Sequence, residues 1–238
     1  MAVYERSASM TLEVGALPYD EPSSRSDAVW PSGETANQLT HGFGLLLSLA
    51  GSAVMLTSVM SDPTSTRSIG CVIYLVGLVS TYGASTLSHS FSNPARRNLF
   101  RLLDQVAIFL LVAGSYTPFA LTHVTSGPMT WVLPTMWGLV AIGIVVRFRK
   151  GDDSVAFLFY AVVGWMPALA LMQVWDASGP TGLWLVLIGG AAYTGGLWFL
   201  VNDHRHRYLH AIWHLCTIVG SGCHFLFLQW YVAEWPLG

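Results

Sequence analysis

The sequence predicts an all-α fold, a polytopic bundle of seven transmembrane helices, and three observations predict it. Of the 238 residues, 53% are hydrophobic and only 10% are charged, too apolar for a water-soluble globule. The apolar residues gather into runs of about twenty, the length a helix needs to cross a ~30 Å hydrocarbon core. Basic residues fall on alternate loops, as the positive-inside rule demands of a chain that crosses repeatedly. The formal net charge of -2 and the sparse basic residues exclude a nucleic-acid partner. Cys71, Cys216 and Cys223 are odd in number, lie in apolar runs and lack CxxC spacing, so they read as small core hydrophobes.

Residues 1–31 are polar, interrupted by Pro18, Pro22 and Pro31, and contain no apolar stretch long enough for a signal sequence. They read as a flexible cytoplasmic tail, with a membrane domain over residues 32–238. A helix start at Ser32 to Glu34 leads into a first span from about Leu39 to Met60. Six more follow at about 69–91, 102–122, 128–147, 155–175, 181–201 and 209–230. Arg96, Arg97 and Arg101 follow span two, Arg147, Arg149 and Lys150 follow span four, and Arg205 and Arg207 follow span six. The other loops hold only Arg67, and the tail adds Arg6 and Arg25, so the N-terminus is expected in the cytoplasm and the C-terminus outside. Trp131, Trp175, Trp184, Trp230 and Trp235 then fall near the outer span ends as an interfacial belt. Pro118, Pro134 and Pro167 read as structural kinks, and the run from Gly189 to Gly196 as a close packing face.

Polar residues far apart in the chain meet only if they share a membrane depth. His210 and His214, one turn apart on one helix face, open span seven from the cytoplasmic side. His89 ends span two on that side, Ser85 lies one turn deeper on the same face, and Asp104 opens span three. Three imidazoles and a carboxylate suit a tetrahedral zinc site with an open position: three protein ligands, and water that the metal acidifies. Asp104 is expected to hold that water and act as general base and acid, and Ser85 to polarise a carbonyl or orient a ligand. Intramembrane ionisable residues are costly and mark function by default. Set against this, a histidine in a span often only packs or hydrogen-bonds, a serine there often bonds the carbonyl one turn back, and Asp104 has Arg101 available as an ion-pair partner.

Glu34, Asn37 and His41 recur on one face at the cytoplasmic start of span one and are expected to support the site from a second shell. His204 and His206 read as solvated loop residues, and His123 as lying on the opposite side. His224, fourteen residues beyond His210 and about 21 Å deeper, reads as a bundle-core hydrogen-bonding residue.

The segments Glu34-Thr-Ala-Asn37-Gln-Leu-Thr-His41-Gly, Ser85-Thr-Leu-Ser-His89-Ser-Phe, Leu103-Asp104-Gln and His210-Ala-Ile-Trp-His214 resemble the bacterial hemolysin III family. That family is grouped with the progestin and adipoQ receptors and, more distantly, the alkaline ceramidases. The resemblance covers about residues 32–230. It implies a seven-helix bundle with cytoplasmic-side zinc on the positions of His89, His210 and His214, a water-holding aspartate at Asp104 and a serine at Ser85. It also implies a bacterial inner-membrane location and a membrane lipid as substrate or ligand.

The leading functional expectation is zinc-dependent hydrolysis of a lipid amide or ester reached laterally from the bilayer. The alternatives are a membrane receptor or homeostasis factor whose zinc is structural, and a pore-forming cytolysin, as the family name suggests. No charged ring marks an ion path through the midplane, which counts against the last.

Overall fold

The computed structural model describes residues 32–150 and 153–234. The tail expected over residues 1–31, and Trp235 of the expected aromatic belt, lie outside the described residues. Among the described residues the regular structure is entirely helical: α1 Gly33–Val59, α2 Thr66–Ser88, α3 Pro94–His123, α4 Val132–Lys150, α5 Asp153–Trp165, α6 Leu171–Val201 and α7 Leu209–Leu228. Short 3-10 turns precede α4, join α5 to α6 and precede α7, and a π-helical turn, Gln229–Ala233, extends α7.

Six continuous helical stretches are long and apolar enough to cross a membrane. Five are 22 to 30 residues long; the sixth, Phe157–Val201, has 45. At 1.5 Å per residue a straight helix of that length would measure about 67 Å, twice a hydrocarbon core. It is not straight. Met166–Ala170 tightens to a 3-10 turn around Pro167, and Gly179 breaks the helical path at φ 61, ψ -159, immediately before Pro180. Only glycine adopts that backbone conformation without strain. The break falls between the ranges that the sequence assigns to spans five and six.

The outward faces suit lipid rather than water. Leu39, Phe43, Leu46 and Val54 on α1, and Met172, Trp184 and Trp198 on α6, are all at least half exposed. The interior is closed by Met55, Tyr74, Phe109, Phe119, Met136 and Leu228, each almost wholly buried. Since hydrophobicity does not draw helices together in lipid, close backbone approach and hydrogen bonds must. A Cβ on Gly70 would lie 2.8 Å from the Cα of Pro118, and one on Gly77 3.0 Å from the Cα of Leu111, so α2 and α3 meet backbone to backbone. Tyr82 of α2 donates to Ser221 Oγ of α7 at 2.9 Å, and Gln229 donates to Ser58 Oγ of α1 at 2.9 Å. Trp137 of α4 donates to Thr117 Oγ1 of α3 at 3.1 Å. Tyr160 of α5 donates to the Gln105 carbonyl of α3 at 2.9 Å. The three cysteines are free.

Pro118 is the one expected kink inside a long helix; Pro134 sits in the first turn of α4, where no helical hydrogen bond is lost, and Pro167 in the 3-10 turn. The packing brings the start of α1, the end of α2, and the starts of α3 and α7 to one end of the bundle, and the polar residues collect there.

Candidate metal centre

Each element places its side chain for a local reason. Ser32 caps α1 by accepting from Thr35 N at 3.2 Å, which puts Glu34 in the first turn and buries Asn37 and His41 one and two turns on. His89 is the C-cap of α2, one turn beyond the buried Ser85. Asn93 caps α3, with Pro94 at its first position, and Asp104 lies further along that helix. Residues 203–205 form a 3-10 turn that delivers His210 and His214 to the first turns of α7.

The tertiary structure brings His89, His210 and His214 together. One ligand atom from each lies within 4.8 Å of the others, against the roughly 3.4 Å that two nitrogens about 2.05 Å from a tetrahedral ion subtend. Ring centroids are 5.2 Å apart for His89 and His210, 5.3 Å for His89 and His214, and 4.6 Å for His210 and His214.

The outward nitrogens are all engaged. His89 Nδ1 meets Glu34 Oε2 at 2.7 Å, and His210 Nδ1 meets Asp203 Oδ2 at 2.9 Å. His214 Nδ1 lies 3.2 Å from the Asn37 carbonyl and 3.0 Å from Thr40 Oγ1. A carboxylate or a carbonyl only accepts, so each imidazole carries its proton on Nδ1 and keeps the Nε2 lone pair for something else. Holding a ligating histidine by its other ring N–H is how metal sites fix tautomer and ring orientation. The donor set therefore fits a divalent ion that takes imidazole.

Two further polar groups are buried close to each other: the Ser85 hydroxyl bears on the Asp104 carboxyl, although neither Ser85 Oγ nor Asp104 Oδ1 has a partner at full hydrogen-bonding distance. Ser85 does not bond back to its own helix, and among the described residues no ion pair joins Asp104 to Arg101. Buried polar oxygens that lack a full hydrogen bond cost free energy, so this pair is suited to receive a hydrogen-bonding group. Of the residues expected to support the site, Glu34 holds His89, and Asn37 holds His214 through its backbone. His41 is 3% exposed, stacks on His214 at a centroid distance of 3.4 Å, and leaves both ring nitrogens unpaired.

Sequence reasoning missed Asp203 and Thr40. Asp203 sits in a turn where no helical periodicity points to a partner, and it reaches His210 only because the turn folds back. Thr40 is three residues from Asn37 on one face, a spacing that was there to be read. His204 and His206 are exposed, and His123 lies at the far end of α3, donating to the Tyr231 carbonyl at 2.9 Å.

The cluster stands at one end of a cavity of about 990 Å³, at the top of the ~300–1,000 Å³ range of ligand sites. Along α3 its walls run from Arg101 to Phe119, about 27 Å of helix, nearly the thickness of a hydrocarbon core.

A family sequence model described as Haemolysin-III related matches residues 29–225. The chain belongs to the haemolysin III family. This haemolysin III protein is 33% identical over 202 residues to Hemolysin-3 of Bacillus cereus, covering 84% of this chain and 91% of that one. It is 29% identical over 205 residues to a Hemolysin-3 homolog of Bacillus subtilis strain 168, covering 85% and 96%. The family and the helices together make it an integral, multi-pass helical membrane protein.

Proposed function

We propose that this haemolysin III protein holds zinc on His89, His210 and His214 and hydrolyses a lipid amide or ester inside the membrane. One observation carries the reading: three converging imidazoles, each oriented through Nδ1 by a separate acceptor, share one long, largely apolar cavity with the buried Asp104 carboxyl and Ser85 hydroxyl. Three protein ligands leave a tetrahedral ion one open position, the mark of catalytic rather than structural sites.

When bound, zinc supplies Lewis acidity and lowers the pKa of water. The chain's own residues supply the rest. Asp104 accepts the proton of the attacking water and returns it to the leaving amine or alkoxide. Ser85 donates a hydrogen bond to the oxygen on which charge develops. The apolar walls beyond hold the acyl chain and exclude bulk water, while the polar headgroup stays at the mouth beside Arg101 and His204.

The topology belongs to the same proposal. The 45-residue stretch crosses twice, with the break at Gly179 as its turn, so the chain spans seven times. In this reading the end that carries the histidines and the arginine-rich loops faces the cytoplasm of a bacterial inner membrane, which the positive-inside rule supports.

Metal analysis of the purified protein, paired with a screen of lipid amides and esters, tests the reading. About one zinc per chain is expected, lost in the double variant His210→Ala, His214→Ala. Asp104→Ala is expected to keep the metal and lose turnover. Turnover unchanged by Asp104→Ala refutes the mechanism. Zinc whose removal lowers thermal stability, in a protein that turns over no lipid, replaces it with a structural-zinc receptor or homeostasis role.

A further inference from the structure

The polar face of α7 does not end at the metal centre. His210, His214, Thr217, Ser221 and His224 succeed one another at spacings of four, three, four and three, one inward stripe over four turns. His210, His214, Thr217 and His224 line the cavity. Ser221 is tied at 2.7 Å to the hydroxyl of Tyr193, itself a cavity residue. From His214 to His224 the helix rises about 15 Å, which carries the last imidazole far below the metal centre, among apolar walls.

His224 is seated rather than incidental. A Cβ on Gly189 would lie 2.5 Å from both Cδ2 and Nε2 of its ring, so α6 leaves a notch for the imidazole edge. In that notch Nε2 faces the Val186 carbonyl at 3.4 Å, and Tyr193 packs alongside with ring centroids 5.6 Å apart. A carbonyl only accepts, so the proton sits on Nε2 and Nδ1 is left as a bare acceptor. Among the described residues Nδ1 has no hydrogen-bond partner. Nδ1 is therefore the open edge of a ring that lines the cavity, an accepting nitrogen that a donor can reach at membrane depth.

Resting on the lipid-hydrolase reading, we infer that His224 is a second polar station in the cavity, which selects lipids bearing a hydroxyl about twelve bonds from the carbonyl at the metal centre. An extended chain advances at most ~3.6 Å per three bonds, so 15 Å corresponds to about twelve bonds. The hydroxyl donates to Nδ1. A ketone at the same place only accepts and gains nothing.

The test uses the purified, zinc-loaded protein in detergent and three probes that share one chain: octadecanoic, 12-hydroxyoctadecanoic and 12-oxooctadecanoic acid, whose carboxylates stand for the hydrolysis product. The hydroxy acid is expected to bind about tenfold more tightly than the other two, the effect of one added hydrogen bond to an acceptor among apolar walls. His224→Leu abolishes the preference and still binds octadecanoic acid, which shows the fold intact; His224→Gln, which can donate to Val186 and accept from the ligand, restores it. Equal affinity for all three acids in the unmodified protein overturns the station and leaves the lipid reading standing. So does a preference that survives in His224→Leu. Failure of every acid to bind overturns the lipid reading, and the station with it.

Discussion

Asp203→Ala removes the acceptor on His210 Nδ1 without touching any of the three proposed ligands. The bond is 2.9 Å long, and it decides both which nitrogen of His210 carries the proton and where the ring points. Loss of such an outer partner typically weakens metal affinity 10- to 100-fold, or about 1.4–2.7 kcal/mol. The Asp203 side chain is 39% exposed, so water screens part of its charge, and the lower bound of about tenfold is expected. Asp203→Asn keeps an accepting oxygen and lands between Ala and the unmodified chain. His210→Ala, which removes the ligand itself, sets the upper limit. Competition against a chromophoric zinc chelator in detergent gives all four constants on one scale. A zinc affinity for Asp203→Ala within about twofold of the unmodified protein would refute the argument, because His210 would then be oriented by something other than Asp203.

Glu34→Ala acts likewise on His89, and it also releases Arg97, 3.6 Å from the same carboxylate. Zinc affinity again falls about tenfold, while far-ultraviolet circular dichroism stays unchanged. Gly70→Ala drives a Cβ against the Pro118 backbone and costs about 1–3 kcal/mol, read as a lowered Tm in detergent. Gly138→Ala meets nothing within 4 Å inside α4 and is neutral or stabilising by up to about 1 kcal/mol in the same melt. Gly179→Ala costs about 1–3 kcal/mol even though the space around it is open, because the strain lies in the backbone at φ 61. Equal Tm values for Gly138→Ala and Gly179→Ala would contradict that.

Apolar run length and the paucity of charge determine by themselves that this chain is a helical, multi-pass membrane protein, since in lipid a backbone must satisfy its own hydrogen bonds. Separated motifs in order along the chain determine the family. The polar residues that the structure gathers at one end of the bundle are expected at one depth from the sequence, because the expected alternating topology assigns each helix end to a side. Depth is a one-dimensional coordinate, and hydropathy reads it. What depth cannot give is rotation and contact. Only the folded bundle decides that His89 turns toward α7 while His41 stacks behind His214, and that Asp203 folds back from its turn onto His210. It alone decides that α6 opens a notch for His224. Sequence reasoning placed that histidine on the right face, yet a hydropathy pattern does not distinguish a helix face turned to a neighbour from one turned to a cavity. That difference depends on how far apart α3, α5, α6 and α7 stand, and the separation is set by side-chain volumes and glycine contacts summed over the whole bundle.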